Sequence, residues 1–314
     1  MVSHVLIFPG QGAQKVGMGS DIAREFPEAA EVFASIDEAL GVSPALSEIM
    51  WKGPQDELTL THNAQPAILA HSAAVHVLVG AKLTPVAAAG HSLGEYSAYV
   101  AAGSISAQDG ARLVRRRGEL MLEAGQIRSG TMAAVLGLAT EAVETACAEA
   151  GRNGSVAVAA NLNTQDQTVI SGDPDAVAAA GEACKAAGAK RVVPLEVSGA
   201  FHSPLMQPAK AGLEKELRRV EFSNPAFPVV ANARAEPVRD GGTAKRLLAE
   251  QLVDPVRWVG CVQQCAELAG ADTVFVELGP GKVLAGLIKR IVPGAKVVSL
   301  GTAEDVAAFM AAKA

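Results

Sequence analysis

Gly90-His91-Ser92-Leu93-Gly94-Glu95 is the stretch whose reading decides the fold. It is a G-x-S-x-G pattern, preceded by the short apolar run Pro85-Val86-Ala87-Ala88-Ala89 and followed by helix-compatible residues from Tyr96 to Ala102. A strand, a sharp turn with a serine at its apex and a helix together form a nucleophile elbow. The turn is strained, and a side chain at position 90 or 94 is expected to collide with neighbouring backbone. Free N–H groups at the start of the following helix face the serine and can hold a developing oxyanion. Ser92 is therefore the candidate nucleophile; a Gly/Ser-rich βα turn that binds nothing is the plainer alternative.

Working outward, the chain has 314 residues, enough for one large domain or a main domain carrying a smaller insertion. Hydrophobic residues make up 49% and aromatics only 4%, a composition suited to closely packed helices. The net charge of −6 gives no support to nucleic-acid binding as the main role. Cys147, Cys184, Cys261 and Cys265 follow no metal-site spacing and read as buried thiols rather than a disulfide framework or metal ligands. The N-terminus opens on strand-like His4-Val5-Leu6-Ile7-Phe8, not on a secretory signal. No apolar run looks long enough to cross a bilayer, so a soluble, cytoplasmic protein without membrane association is expected.

After the first strand comes Pro9-Gly10-Gln11-Gly12-Ala13-Gln14. A dinucleotide fingerprint would need a small residue where Lys15 stands, and a P-loop would need lysine where Met18 stands. Both nucleotide motifs fail. The glycine-rich turn can still supply a second oxyanion donor, with Gln11 the best candidate. Asp21 to Leu40 reads as one helix, and Ala64 to Val79 as another carrying His71 and His76. Their spacing of five is not that of a helical zinc pair, so both read as structural, or simply exposed, rather than as metal ligands. Ala107 to Ala124 is a strong helix containing Arg115-Arg116-Arg117. Consecutive helical residues point about 100° apart, so three arginines cannot share one solvated face. Arg117 lies on the face of Met121 and is the one expected to point inward. An inward guanidinium needs an anion, and spacing alone leaves a substrate carboxylate and a structural Asp or Glu equally open.

From Thr131 the texture changes. Thr131–Leu138 reads as strand and Thr140–Ala150 as helix, with Thr140 as N-cap. Ser155–Ala160 and Gln167–Ser171 read as strands joined by a turn at Asn161-Leu162-Asn163. Asp173-Pro174 then caps a helix reaching Ala187, and Lys190–Val197 is a last strand. The order β-α-β-β-α-β is a ferredoxin-like unit. The expected organisation is thus an α/β core of residues 1–128 and 199–314 interrupted by an inserted small domain, 129–198. Beyond it, His202 follows a strand end and precedes Pro204, placing it on a loop where catalytic bases sit; His4, His62, His71, His76 and His91 lack such placement. The helix Ala244–Leu252 carries Gln251, and Gly279-Pro280-Gly281-Lys282 turns the last strong strand into a helix without P-loop spacing.

These motifs, from Pro9-Gly10-Gln11-Gly12 through Gly90-His91-Ser92-Leu93-Gly94-Glu95 and Arg117 to Gly279-Pro280-Gly281-Lys282, resemble those of the malonyl-CoA:acyl-carrier-protein transacylases. The resemblance covers nearly the whole chain. It implies an α/β-hydrolase-like core with a ferredoxin-like insertion, Ser92 as the acylated nucleophile and His202 as its base. It also implies an oxyanion hole from the N–H groups of Gln11 and Leu93, and Arg117 as the partner of the malonyl carboxylate. Gln251 would orient His202 through its backbone carbonyl. Malonyl-CoA and the phosphopantetheinylated acyl carrier protein would be substrates, with no cofactor and no metal, and a monomer is expected. Phe201, in Gly199-Ala200-Phe201-His202, would crowd a branch at C2 of the acyl group, and Met121 would line the same pocket. Carrier proteins of this kind are acidic, so docking would need a local basic patch; Lys190-Arg191 and Lys289-Arg290 are the candidates.

Two rival functions compete with this one. An esterase or thioesterase on the same core would have no use for Arg117 or the insertion. A silent carrier-binding module would have lost Ser92 or His202, and both are present. The pathway served, fatty acid or polyketide synthesis, is left open by the residues.

Overall fold

The computed structural model describes residues 2–197, 199–270 and 272–312. Its first strand, β1 (His4–Phe8), is apolar on both faces: Leu6 and Phe8 enter one core, Val5 and Ile7 another. That is what the strand period of two gives when a sheet is covered on both sides. After β1 come the helices α1 (Ser20–Glu25), α2 (Pro27–Leu40), α3 (Leu46–Lys52), α4 (Gln55–Thr59) and α5 (Thr61–Val79). Then follow β2 (Pro85–Gly90), α6 (Gly94–Ala101) and the long α7 (Ala107–Ile127). The next segment runs β3 (Thr131–Leu136), α8 (Thr140–Ala150), β4 (Ala157–Thr164), β5 (Gln167–Gly172), α9 (Pro174–Ala186) and β6 (Arg191–Pro194). The chain returns through α10 (Gln207–Arg219), β7 (Val229–Ala231), β8 (Glu236–Val238), α11 (Gly241–Glu250) and α12 (Trp258–Ala269). It ends with β9 (Val274–Leu278), α13 (Val283–Ile291), β10 (Lys296–Leu300) and α14 (Ala303–Ala311).

The larger sheet has the order β10-β9-β1-β2-β7-β8, parallel except for β8, which runs antiparallel to β7. Strands β1, β2 and β7 are neighbours and point the same way. The loops leaving their carboxyl ends therefore open onto one crevice, the usual binding position of an open α/β sheet. Those loops carry Gln11, Ser92 and Asn232.

The smaller sheet has the order β4-β5-β3-β6 and is antiparallel throughout. On one face α8 and α9 bury Val135, Val143, Cys147, Ile170, Val177 and Cys184 as a separate cluster. Each aliphatic side chain in it contributes about 1.5–3 kcal/mol. On the other face Met132 and Val169 join the main core. Strand β4 ties the smaller sheet to the segment that leads into α12: Leu162 N–H donates to Val256 O at 2.9 Å, and Val256 N–H donates to Ala160 O at 2.8 Å.

The single helix expected from Asp21 to Leu40 is two, because Phe26 is extended (φ −122°, ψ 109°) and the residue before a proline is excluded from the helical region by contact with the ring. Asn161-Leu162-Asn163 is not a turn but part of β4, held there by the pairing with Val256; the turn falls at residues 165–166. Thr140 is not an N-cap. It is the first helical residue, and its hydroxyl shares a hydrogen bond with Thr168 at 3.2 Å. Asp173 does stand at the N-cap of α9, yet its carboxylate turns away to Arg128 (2.6 and 2.8 Å) and to Val156 N–H (2.7 Å). Strands β3 and β6 stop at Leu136 and Pro194, short of the expected ends, and α11 stops at Glu250, leaving Gln251 as its C-cap. Ser198, the expected last residue of the insertion, lies outside the described residues. Finally, Thr61–Lys82 is long and apolar enough by length and composition to cross a bilayer, against expectation. With 67% of that window buried inside the protein, and α5 packed against α2, α6 and α7, it is the central helix of the core.

Candidate active site

Both glycines of the elbow are sterically required. A Cβ on Gly90 would lie 1.9 Å from the Gly94 carbonyl, and one on Gly94 would lie 2.3 Å from Phe8 O. Between them Ser92 adopts φ 53°, left-handed and unfavourable for a side chain, a strain that functional sites store. Asn232, at the end of β7, clasps the turn from both sides. Its Oδ1 accepts from Ser92 N–H at 2.8 Å and its Nδ2 donates to Gly90 O at 2.8 Å.

Ser92 Oγ lies 2.8 Å from His202 Nε2, and His202 Nδ1 lies 2.8 Å from the Gln251 backbone O. A carbonyl can only accept, so Nδ1 carries the proton and Nε2 presents its lone pair to the serine hydroxyl. His202 is itself left-handed at φ 57°. Burial, reinforced by the nearby Arg117 charge, pushes its pKa down to about 3. The imidazole is therefore neutral and ready to accept across the physiological range. In NMR spectra of ring-labelled histidine, the His202 resonance, assigned by its loss in a His202 variant, is expected to keep neutral-ring shifts from pH 8 down to 5. A midpoint near the ordinary 6.5 would contradict this burial.

Of the three arginines on α7, Arg115 pairs with Glu119 at 3.4 Å and Arg116 with Glu119 and Glu123 at 3.0 and 2.9 Å. Arg117 alone points inward and is 1% exposed. Its Nη1 donates to Gln65 Oε1 at 2.8 Å, and its Nη2 donates to Gln251 Oε1 at 3.0 Å and to Ser92 Oγ at 3.1 Å. Nε has no partner among the described residues, and no carboxylate pairs with the guanidinium directly. Taking such a charge out of water costs several kcal/mol unless an anion answers it. Spacing alone leaves a structural carboxylate open, and among the described residues no such carboxylate bonds to Arg117.

Next to this cluster is a cavity of about 290 Å³, the size of a small-ligand site. Ser92, His202, Arg117, Gln11, Leu93, Met121 and Phe201 all line it. The backbone N–H groups of Gln11 and Leu93 donate to no backbone group among the described residues. Residues 5–311 match the acyl transferase domain family. The chain belongs to that family. Acyl transferase domains similar to it include the malonyl CoA-acyl carrier protein transacylase of Bacillus subtilis, 42% identical over 307 residues that cover 98% of this chain and 96% of the relative. Among solved structures, an acyl carrier protein S-malonyltransferase from Vibrio cholerae superposes with a TM-score of 0.92 at 42% identity, covering 98% of this chain and 99% of that one. A malonyl-transacylase in complex with its type II PKS acyl-carrier protein also gives 0.92, at 39% identity with 98% of each chain covered.

This acyl transferase domain brings every site residue expected from its sequence to one cavity or into contact with its lining. Four others at the site were passed over. His91 has no loop placement in the sequence to mark it, yet it lines the cavity, and its Nε2 lies 2.8 Å from Asn163 Oδ1. Its place inside the elbow motif was the available signal. Glu95, which closes the same stretch, carried the same signal, whereas Gln65 and Asn232 carried none. Of the basic pairs, Arg290 is engaged by Asp166, while Arg191 is exposed at the start of β6.

Proposed function

We propose that this acyltransferase moves the malonyl group from malonyl-CoA to the phosphopantetheine thiol of an acyl carrier protein, by a ping-pong cycle through a malonyl ester on Ser92. The observation that carries the reading is Arg117, a buried guanidinium within 3.1 Å of the reacting hydroxyl and without a carboxylate partner among the described residues. Ser92 Oγ attacks the thioester carbonyl while His202 Nε2 takes its proton. The Oγ–C bond forms, the C–S bond breaks, and the imidazolium returns the proton to the departing coenzyme A thiolate. The carrier thiol then repeats these steps in reverse, giving its proton to His202 and expelling Ser92. The N–H groups of Gln11 and Leu93 hold the oxyanion in both halves. Proton transfer closes the cycle, so the proposal assigns no cofactor and no metal.

The same reading treats residues 1–128 and 199–314 as an α/β-hydrolase-like core and 129–198 as a ferredoxin-like insertion. The parallel sheet with its elbow and the β4-β5-β3-β6 order support that division. Phe201 and Met121, buried at the cavity wall, would narrow the space around C2 of the acyl group. Lys190 and Arg191 form the favoured docking patch for an acidic carrier, since Arg290 is already paired. A cytoplasmic monomer belongs to the proposal too; four free, buried thiols suit a reducing compartment. Supply of malonyl carrier protein to fatty acid synthesis is the first reading, and a trans-acting polyketide malonyltransferase the second, favoured by the likeness to a carrier-bound enzyme of that class.

Intact mass after brief exposure to malonyl-CoA tests the reaction class. A malonyl adduct on wild-type protein, absent from Ser92→Ala and discharged faster by carrier protein than by water, is the expected result. Discharge to water at the same rate with and without carrier would make the enzyme a thioesterase.

A further inference from the structure

Glu95 follows the last glycine of the elbow and is completely buried. Its Oε2 accepts from Asn232 N–H at 2.9 Å and from Gln251 Nε2 at 2.6 Å, while Oε1 has no partner among the described residues. Those two partners reach the whole site. Gln251 presents its backbone O to His202 Nδ1 and its Oε1 to Arg117 Nη2, and its Nε2 also donates to Ser92 O at 3.0 Å. Asn232 holds Ser92 N–H and Gly90 O. One carboxyl group thus stands a single residue away from the nucleophile turn, the imidazole and the guanidinium.

The chemistry of Gln251 shows why an acceptor is needed there. An amide can rotate by half a turn and exchange its oxygen for its nitrogen. In the flipped state NH2 would face the Arg117 fork, donor against donor, and Oε1 would face Glu95, acceptor against acceptor. A strong acceptor at position 95 makes the flip repulsive at both ends. We propose that Glu95 is a positioning residue of the transfer site: it fixes the Gln251 side chain and the Asn232 backbone, and through them the His202 ring, the Arg117 fork and the Ser92 turn. The proposal rests on the reading of the site given above.

Position, rather than charge, is what the geometry demands. Burial pushes the Glu95 carboxyl up to about 7, against the opposing pull of Asn232, Gln251 and Arg117. The ionisable groups facing it are Arg117 from α7, Cys261 from α12 and Tyr96 and Tyr99 of its own helix. A proton can settle on Oε1, the oxygen without a partner, and leave both hydrogen bonds to Oε2 intact. Neutral and charged forms therefore position the site equally well.

Two variants of opposite character test this. Glu95→Gln keeps the length and an acceptor oxygen but removes the charge. Glu95→Asp keeps the charge and withdraws the acceptor by one methylene. Steady-state rates with malonyl-CoA and acetyl-CoA, and melting temperatures, are measured for both beside the wild type. Glu95→Gln is expected to hold kcat within about threefold. Glu95→Asp is expected to lose about 10²-fold, the order that a misplacement of roughly 1 Å costs, with a raised KM for malonyl-CoA and an unchanged KM for acetyl-CoA. The reverse order of the two variants would mean that charge matters and would overturn the proposal. So would a change in melting temperature with kcat and KM untouched, which marks a merely structural role. Failure of the wild type to form a Ser92 adduct would instead remove the underlying reading of the site, and that is seen separately.

Discussion

Removing the imidazole of His202 is expected to slow malonylation of Ser92 by about 10²–10⁴-fold, the usual contribution of a positioned general base. Among the described residues, the hydroxyl of Ser92 has one acceptor in line for its proton, His202 Nε2 at 2.8 Å. Without it, attack must expel a proton into a cavity whose neighbouring charge, Arg117, is positive and cannot receive one. Two substitutions separate this effect from backbone strain. His202 sits at φ 57°, where Ala is strained but Asn is tolerated, and neither side chain is basic. His202→Ala and His202→Asn should therefore lose the same large factor, with the KM for malonyl-CoA moving much less, because Arg117 keeps its place. The measurement is quenched single-turnover mass spectrometry of the Ser92 adduct. A rate within tenfold of wild type in the Asn variant would show that another group takes the proton.

How much of this site was legible in the sequence follows from how local each constraint is. The elbow could be read because its demands fall on adjacent residues: two glycines that nothing larger can replace and a serine between them. The inward turn of Arg117 could be read because three neighbouring arginines cannot share a helix face. What Arg117 meets could not, since Gln65 and Gln251 arrive from 52 and 134 residues away. Asn232 and Glu95 matter only because β7 lies beside β2, and strand order is not written in any one segment. Asn161 and Asn163 misled for a related reason. Asparagine is depleted in strands and common in turns, but the pairing of β4 with Val256 overrides that tendency. The break at Phe26 was different: Pro27 announced it locally, and the helical periodicity across it masked the signal.

Replacing Arg117 by alanine should separate malonyl from acetyl transfer. The guanidinium gives its hydrogen bonds to Gln65, Gln251 and Ser92, and none of these moves a proton by way of it. Two effects keep the variant's remaining chemistry intact. Arg117 is one of the charges that depress His202, so its removal makes the imidazole a stronger base. Glu95, already raised to about 7, loses a cation that favoured its charged form and takes up a proton, which leaves no bare buried charge behind. On the proposed role, what disappears is the charge-assisted pair with the malonyl carboxylate, about 1.5–3 kcal/mol for each hydrogen bond. At roughly 1.4 kcal/mol per decade, malonyl transfer should fall by at least about tenfold. A larger loss follows if the carboxylate remains desolvated without a partner. Acetyl transfer has no carboxylate to satisfy and should be unchanged or faster. Arg117→Lys keeps the charge without the two-pronged donor and should fall between wild type and alanine with malonyl-CoA. Ser92 adduct formation from malonyl-CoA and acetyl-CoA, compared in the three proteins, gives the answer. If malonyl and acetyl transfer fell in the same proportion, Arg117 would be a structural residue and the carboxylate would have to be held by another group.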